Sequence, residues 1–476
     1  MNIKKIVGFA IGPIGGAFFG FITLPLTAWF FNTEDIGRIA LLQIIVGFTT
    51  MLFSLGLDQA YVREYHEKEN KPELWKQTTL PGLYLILLIS FILIIQPYLL
   101  SELLFDTQSW LISFLVIIVF ITNYLIRFFS LILRMQEKGF LFSMSQIWPK
   151  FFNIIFLLNF VIIYNHHEFI YLLYAQVLSA LIACSIFAWN TRHEWLGIIN
   201  LKIDFNELKP LLKFGMPLIV GGLAFWGLNS IDRLFLKVFS DFNELGIYSV
   251  ATSFAAIAII VQSIFSTVWA PTVYKWIKNN ENLDKIHDIT WYLTIIIVFI
   301  FSLVGLFSNL IPLVLPEQYN LVQYIILPAL VAPLLYTLSE TTVVGIGISR
   351  KSHLSLYASL GAFCSALLFN YILTPKLGAL GASISSSLAF LTFFVLRTEF
   401  SVMAWKSFPR KKVYCIAFLI VGLAIANALF QEKFNWVFKL VWFIILIVSS
   451  VGMYKLILQI EASRKLSSEV SQNVKT

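Results

Sequence analysis

The chain has 476 residues, of which 58% are apolar and only 13% charged, and its formal net charge is +8. A single soluble core stops growing at about 250–300 residues, so a water-soluble protein of this length could not bury so much apolar side chain. The basic balance does not indicate a nucleic-acid-binding protein, because Lys and Arg stand in short segments between long apolar runs, the pattern that orients membrane proteins.

Fourteen apolar runs are long enough to cross a bilayer, which takes roughly 20 apolar residues per helix. The chain is therefore predicted to be an all-α polytopic membrane protein. The first run is too long for the core of a signal peptide and lacks a clear cleavage site, so it is predicted to be retained. In chain order the predicted spans are 6–30, 38–62, 79–100, 109–134, 143–163, 168–188, 212–236, 244–270, 289–311, 321–348, 353–374, 379–402, 413–430 and 436–457.

The segments between these spans differ in charge. With a cytoplasmic N-terminus, the segments on the cytoplasmic side carry 22 Lys and Arg residues, whereas the opposite loops carry only Lys237, Lys376 and Lys433. A missed or added span in mid-chain would destroy this asymmetry. The positive-inside rule therefore predicts an even number of spans and two cytoplasmic termini.

The longest charged connection, 189–211, mixes charged and apolar residues and is predicted to be an interfacial linker between two six-helix lobes. A weak parallel repeat agrees with this division. Lys5, an apolar helix and a segment ending in Gly37 recur as Lys213, an apolar helix and a segment ending in Gly246. The predicted domains are an N-terminal lobe 1–188, the linker 189–211, a C-terminal lobe 212–402, an additional hairpin 413–457 and a cytoplasmic tail 458–476.

Polar side chains within the spans are candidate functional residues, because a charge at the centre of a span costs about 2.5–3.5 kcal/mol to insert. On three helices they recur every three or four residues and so share one face. These faces either line a water-filled cavity or form structural pairs near the membrane interfaces. The residues are Asn123, Arg127, Ser130 and Arg134 in span 4, Gln146, Lys150 and Asn153 in span 5, and Asn229, Arg233 and Lys237 in and just after span 7.

Three acidic residues in the spans, Asp58, Asp232 and Glu340, are candidates for coupling to H⁺ or Na⁺, because a buried carboxylate can exchange a cation. The alternative is that Asp58 and Asp232 are partners of Arg63 and Arg233, whereas Glu340 has no adjacent base. The sequence contains no GxxxxGK[ST] loop and no HExxH motif, and its three cysteines lie in apolar runs without metal-ligand spacing. We predict a transporter without a catalytic site, a metal or another cofactor.

Several segments resemble Wzx-type polysaccharide flippases of the multidrug/oligosaccharidyl-lipid/polysaccharide (MOP) exporter superfamily. The matched segments are Ser54-Leu-Gly-Leu-Asp-Gln-Ala-Tyr-Val-Arg63-Glu, Ser230-Ile-Asp-Arg233, Glu244-Leu-Gly-Ile-Tyr248-Ser-Val-Ala, Trp269-Ala-Pro271 and Leu373-Thr-Pro-Lys-Leu-Gly378-Ala-Leu-Gly381-Ala-Ser. Each motif alone is loose, but their order and spacing together are specific. Arg63 and Arg233 lie in matched motifs, whereas Arg127 and Lys150 rest on the physical argument alone.

The resemblance implies two six-helix lobes around a cationic cavity that opens alternately to either side of the bacterial inner membrane. The implied cargo is an undecaprenyl-diphosphate-linked oligosaccharide, flipped to the outer leaflet for O-antigen, lipopolysaccharide, capsule or exopolysaccharide assembly. The implied partners are membrane lipids, a polysaccharide polymerase and a chain-length regulator.

With fourteen predicted spans, the chain is also similar to the lipid II flippases of the superfamily. In these proteins an extra hairpin helps to form a lipid groove. Two alternatives are a lipid II-type flippase and a multidrug exporter. The multidrug exporter would have an acidic cavity. A third is an integral-membrane polymerase or glycosyltransferase. It would need a large outer loop or an acidic catalytic pair, and the longest outer loop here has about nine residues.

Overall fold

The computed structural model describes residues 3–196 and 204–473, and within these ranges it consists of helices and short connections. The helices are α1 Ile3–Ala28, α2 Thr33–Ser54, α3 Leu57–Glu64, α4 Lys71–Ile95, α5 Leu99–Phe105, α6 Trp110–Met135, α7 Gly139–Leu158, α8 Phe169–Trp195, α9 Phe205–Phe239, α10 Phe242–Lys278, α11 Asp284–Phe307, α12 Val322–Thr342, α13 Val344–Ile348, α14 His353–Ala404 and α15 Lys411–Asn473. A π-helical turn, Asn159–Ile163, extends α7, and 3₁₀ turns lie at Ser308–Leu313 and Glu317–Tyr319.

Among the described residues, eleven helices are long and apolar enough to cross a membrane, and α10 makes a twelfth if its two parts form one span. Helices α14 and α15 have 52 and 63 residues, each more than twice the length that a bilayer requires. Their backbones leave helical geometry at Gly378 and Phe434, inside the predicted outer loops. The predicted all-α polytopic architecture is confirmed, whereas the number of fourteen spans stays a prediction.

The predicted linker 189–211 is only partly described. Helix α8 continues to Trp195 and α9 begins at Phe205, while Ile198, Ile199 and Lys202 lie outside the described residues. Asp204 caps α9, because its carboxylate accepts a hydrogen bond from the backbone N–H of Asn206 over 2.8 Å.

The chain packs as two compact units. The first comprises Met1–Ser263 and Ala366–Ala382, and the second comprises Ile264–Ser365 and Ser383–Thr476. In the first unit α1 packs on α7, and α6 and α7 pack on α8; in the second, α15 packs on α11 and α12. The predicted domain boundaries stay a prediction.

In the first unit, the two segments of the predicted repeat contact each other. A side chain at Gly37 would collide with the carbonyl of Phe242, and one at Gly246 would collide with the carbonyl of Thr33. The Thr33 hydroxyl also donates a hydrogen bond to Asn243 Oδ1 over 2.6 Å. The first turns of α2 and α10 therefore cross at their matched glycines, where the lack of a Cβ allows the close approach.

The predicted second span, 38–62, is not one continuous helix. Helix α2 ends at Ser54, because Leu55 and Gly56 adopt left-handed backbone angles with φ of 51° and 68°. A side chain at Gly56 would also collide with the backbone of Gly215 on α9. Asp58 therefore lies on the separate short helix α3 rather than at the end of a membrane span.

Candidate functional site

A cavity of about 590 Å³ lies within the first unit, bounded by α2, α3, α6, α7 and α9. Polar side chains from four of these helices line it together with small and apolar ones. The polar lining residues are Gln43, Thr50, Ser54, Asp58, Gln59, Asn123, Arg127, Ser130, Ser145 and Gln146.

Helix α6 supplies the central polar face of this cavity. Asn123, Arg127 and Ser130 all line it, as their spacing predicted. Elsewhere on the same helix Tyr124 and Phe128 are fully buried in the protein core. Because apolar packing fixes the rotation of α6 about its axis, the polar face is held toward the cavity.

The charged groups of the cavity form an ion pair. Arg127 Nη2 donates to Asp58 Oδ2 over 2.8 Å, and the two side chains are 43% and 10% exposed. Gln59 Nε2 lies 3.4 Å from the same carboxylate oxygen. The predicted pairing of Asp58 with Arg63 is therefore wrong, because the turn at Leu55–Gly56 directs Asp58 to α6.

This ion pair leaves the lining of the 590 Å³ cavity without a net charge. The guanidinium group nevertheless has five N–H donors, of which Asp58 occupies one at Nη2 in the described chain. The free donors face a cavity whose walls have a lower effective dielectric constant than water, where an anion would bind more strongly. The cavity can thus hold an anion if the Asp58 contact is shared or exchanged.

Arg63 lies outside the lining of this cavity, although it belongs to a matched motif. Its side chain is 54% exposed, with Nε 3.6 Å from the Glu64 carboxylate. Its guanidinium stacks over the Phe214 ring at 4.4 Å from the centroid. In this structure Arg63 therefore joins α3 to α9.

The predicted polar face of span 5 divides between two environments. Gln146 lines the cavity, whereas Lys150 Nζ donates to the carbonyl of Gly16 on α1 over 2.6 Å. Asn153 Nδ2 lies 3.4 Å from Gln176 Oε1 on α8. Lys150 and Asn153 do not line the 590 Å³ cavity, and their role in binding stays a prediction.

The span 7 residues, on α9, also lie outside the lining of this cavity. Asn229 donates to the carbonyl of Phe225 over 2.7 Å. Arg233 Nη1 and Nη2 donate to the carbonyl of Asn229 and to Thr252 Oγ1 over 3.3 and 3.2 Å. The role of Asn229 and Arg233 in binding stays a prediction.

Asp232 is 3% exposed and forms no ion pair among the described residues. Its Oδ2 accepts a hydrogen bond from the hydroxyl of Tyr248, and its Oδ1 is buried without a partner. The predicted alternative of a pair with Arg233 is therefore wrong, because Arg233 donates to Asn229 and Thr252 instead.

The comparison with protein families shows to which family the chain belongs. The family model described as "Polysaccharide biosynthesis protein" matches residues 3–277, more than half of the chain. The chain belongs to this family. No curated protein matches it significantly.

Three solved structures that resemble this family member are a lipid II flippase and two conformations of a multidrug transporter. The lipid II flippase MurJ in an inward closed conformation matches with a TM-score of 0.68 and 15% identity, covering 96% of this chain and 100% of that one. Outward- and inward-facing conformations of a multidrug resistance MATE family transporter of the MOP superfamily match with TM-scores of 0.51 and 0.52, both at 14% identity. They cover 84% and 89% of this chain and 95% and 96% of theirs. The predicted MOP fold is confirmed.

A second polar cavity, of about 390 Å³, lies within the second unit of this family member. Its lining includes Glu340 and Arg397, whose side chains form an ion pair of 2.8 Å and are 13% and 12% exposed. Glu340 therefore has a base as its partner, although none is adjacent in sequence.

Arg397 is a candidate functional residue that the sequence analysis missed. It also donates to Ser339 Oγ over 2.6 Å and lies over the rings of Tyr336 and Phe393. The signal was present in the sequence, because Arg397 lies within predicted span 12, where a charge is costly.

Proposed function

We propose that this protein is a flippase for undecaprenyl-diphosphate-linked oligosaccharide repeat units. It moves them from the cytoplasmic to the outer leaflet of the bacterial inner membrane, where a polymerase and a chain-length regulator assemble O-antigen, capsule or exopolysaccharide. The observation that carries the proposal is Arg127, a permanently charged side chain, 43% exposed, that lines a polar cavity within an apolar helical unit.

In the proposed mechanism, the diphosphate of the cargo replaces or shares the counter-ion of Arg127. A guanidinium can bind two phosphate oxygens at once, and such charge-assisted pairs are about twice as strong as neutral hydrogen bonds. When the cavity is empty, Asp58 compensates the charge of Arg127 at 2.8 Å, so the guanidinium is not left without a counter-ion among the apolar helices. The exchange therefore lets one arginine serve both the loaded and the empty transporter.

The rest of the cargo is matched by neutral groups. Amide side chains of Gln43, Asn123 and Gln146 line the same cavity and can exchange hydrogen bonds with sugar hydroxyls. The polyprenyl tail remains in the bilayer, since burying it in a polar cavity would be unfavourable. Alternating access then moves the polar part of the cargo across the membrane, with both termini of the protein in the cytoplasm.

The decisive experiment is complementation of a flippase-null strain with Arg127 variants. Arg127→Ala should reduce surface polysaccharide more than tenfold, since a charge-assisted pair worth about 1.5–3 kcal/mol is lost. Arg127→Lys should restore only part of the activity, because an ammonium group lacks the planar fork. Surface polysaccharide and the amount of protein in the membrane are measured together.

The matched control is Arg134→Ala on the same helix. Arg134 lies seven residues further along α6, is exposed and does not line the cavity, so polysaccharide should stay at the wild-type level. Wild-type polysaccharide in the Arg127→Ala strain would refute the role of the cavity. Drug resistance conferred by the wild-type chain, without complementation, would instead identify a multidrug exporter.

A further inference from the structure

The largest of the described cavities, about 990 Å³, lies in the second unit, away from the transport residues considered above. It is bounded by the first turns of α11 and α15, the end of α14 and the connection 405–410. All three helices belong to apolar segments long enough to cross a membrane. The cavity therefore lies at the ends of membrane spans, at the level of the lipid headgroups.

One wall of this cavity is a cluster of hydrogen-bonded polar side chains. Arg410 donates from Nε and Nη2 to the two carboxylate oxygens of Glu399 over 2.6 and 2.8 Å, and the Tyr414 hydroxyl donates to Glu399 Oε1 over 2.7 Å. The charge of Glu399 is thereby compensated, so this carboxylate does not repel an anion in the cavity.

Two lysines of the lining are free to bind an anion. Lys411 and Lys412 are exposed and form no ion pair among the residues that the structure describes. Asp288 is the remaining acidic residue of the lining, and the formal charges of its Asp, Glu, Lys and Arg residues sum to +1. A basic pocket between helices at the cytoplasmic end of a membrane protein is the type of site that binds anionic lipid headgroups.

Neutral groups of the cavity suit the rest of a lipid headgroup. His287 Nδ1 is buried without a hydrogen-bond partner in the described chain, so it can pair with a headgroup oxygen or hydroxyl. Trp291 and Phe408 add aromatic surface, which is enriched at membrane interfaces. About two turns beyond Lys411 and Lys412 along α15, Phe418 and Leu419 are 54% and 58% exposed, where acyl chains can cover them.

We propose that this cavity binds the phosphodiester headgroup of an anionic phospholipid, held by Lys411 and Lys412 with its acyl chains along α15. The lipid is a bound component of the protein and differs from the transported cargo, so the proposal does not rest on the proposed function. The chemistry of the cavity also suits a diphosphate, and the experiment separates these two sources.

The experiment is native mass spectrometry of the full-length chain in detergent, titrated separately with phosphatidylglycerol, phosphatidylcholine and undecaprenyl diphosphate. Wild-type protein should bind phosphatidylglycerol in preference to neutral phosphatidylcholine. A hydrogen bond to a charged group contributes at least about tenfold in affinity, so the double variant Lys411→Gln/Lys412→Gln should bind phosphatidylglycerol at least about tenfold more weakly.

The matched control is Lys433→Gln/Lys439→Gln, two lysines of the same helix outside this cavity, which should leave the affinity unchanged. The proposal is overturned if the Lys411/Lys412 variant binds phosphatidylglycerol like the wild type, or if both double variants lose the same affinity. It is also overturned if undecaprenyl diphosphate binds at Lys411 and Lys412 and phosphatidylglycerol does not. Equal melting temperatures for the three proteins show that the folds are comparable.

Discussion

Asp232 and Glu340 are both carboxylates within apolar helices, but their surroundings differ. Glu340 is compensated by Arg397 at 2.8 Å, whereas Asp232 is 3% exposed, accepts a hydrogen bond from the Tyr248 hydroxyl and forms no ion pair within the described residues. An uncompensated buried carboxylate must gain a proton or a cation to offset the cost of burying its charge. We therefore propose Asp232, rather than Glu340 or the paired Asp58, as the residue that couples transport to an ion.

The variant Asp232→Asn keeps an acceptor for the Tyr248 hydroxyl but cannot bind a proton. In proteoliposomes, its rate of cargo flipping should no longer respond to an imposed H⁺ or Na⁺ gradient, whereas the wild-type rate should respond to one of them. The control Glu340→Gln should keep the response but lose about 3–5 kcal/mol of stability, because Arg397 is left unpaired at a site where it is 12% exposed. A normal gradient response in Asp232→Asn would exclude coupling at this residue.

The partners of the charged residues could not be predicted from the sequence. The spacing of Asn123, Arg127 and Ser130 correctly predicted one cavity-lining face, because helical periodicity is a local property. The partner of Arg127, in contrast, is 69 residues away and that of Arg397 is 57 residues away. From neighbouring residues in the sequence, Arg63 was the candidate partner of Asp58, and no basic partner could be identified for Glu340. Neither actual partner could be found in this way, because tertiary packing brings together residues that are far apart in the sequence.

At the scale of elements, the turn between α2 and α3 positions the cavity. The run 38–62 was predicted as one span, because a left-handed turn of two residues hardly interrupts its hydrophobic pattern. The turn requires Gly56, because a Cβ there would collide with the backbone of Gly215 and would also cost about 1–2 kcal/mol in the left-handed region. The close contact with Gly215 then fixes α3 on α9, with Asp58 directed to Arg127.

Gly56→Ala should therefore destabilise the protein by more than about 2 kcal/mol, because backbone strain adds to the collision with Gly215. Thermal unfolding of the purified variant in detergent should show a fall of several degrees in the melting temperature, together with loss of complementation. Gly422→Ala on α15 is the matched control. A Cβ there meets no atom within 4 Å, so this change should be neutral or gain up to about 1 kcal/mol from helix propensity. Equal melting temperatures for the two variants would contradict the role assigned to the turn.

At the scale of the whole molecule, charge distribution and helix continuity give different kinds of information. The excess of Lys and Arg in alternate segments predicts which side of the membrane each segment faces. Helices α14 and α15, however, each continue through a predicted outer turn with one non-helical residue, Gly378 or Phe434. By apolarity and length alone, α14 and α15 are each one long helix. Whether each of them crosses the membrane twice depends on the side of the membrane on which Lys376 and Lys433 lie.

Fourteen spans with cytoplasmic termini make a specific prediction for these two helices. In a background with Cys184, Cys364 and Cys415 replaced by Ala, Lys376→Cys and Lys433→Cys should react with a membrane-impermeant thiol reagent on intact cells. Lys351→Cys and Lys411→Cys, which precede the same turns in α14 and α15, should react only after the cells are permeabilised. If α15 crossed the membrane only once, position 411 and the segment beyond Phe434 would lie on opposite sides of the membrane. The C-terminus would then no longer be cytoplasmic. Labelling of all four variants from one side would contradict the double crossing, because a bilayer thickness of about 30 Å must separate the two pairs.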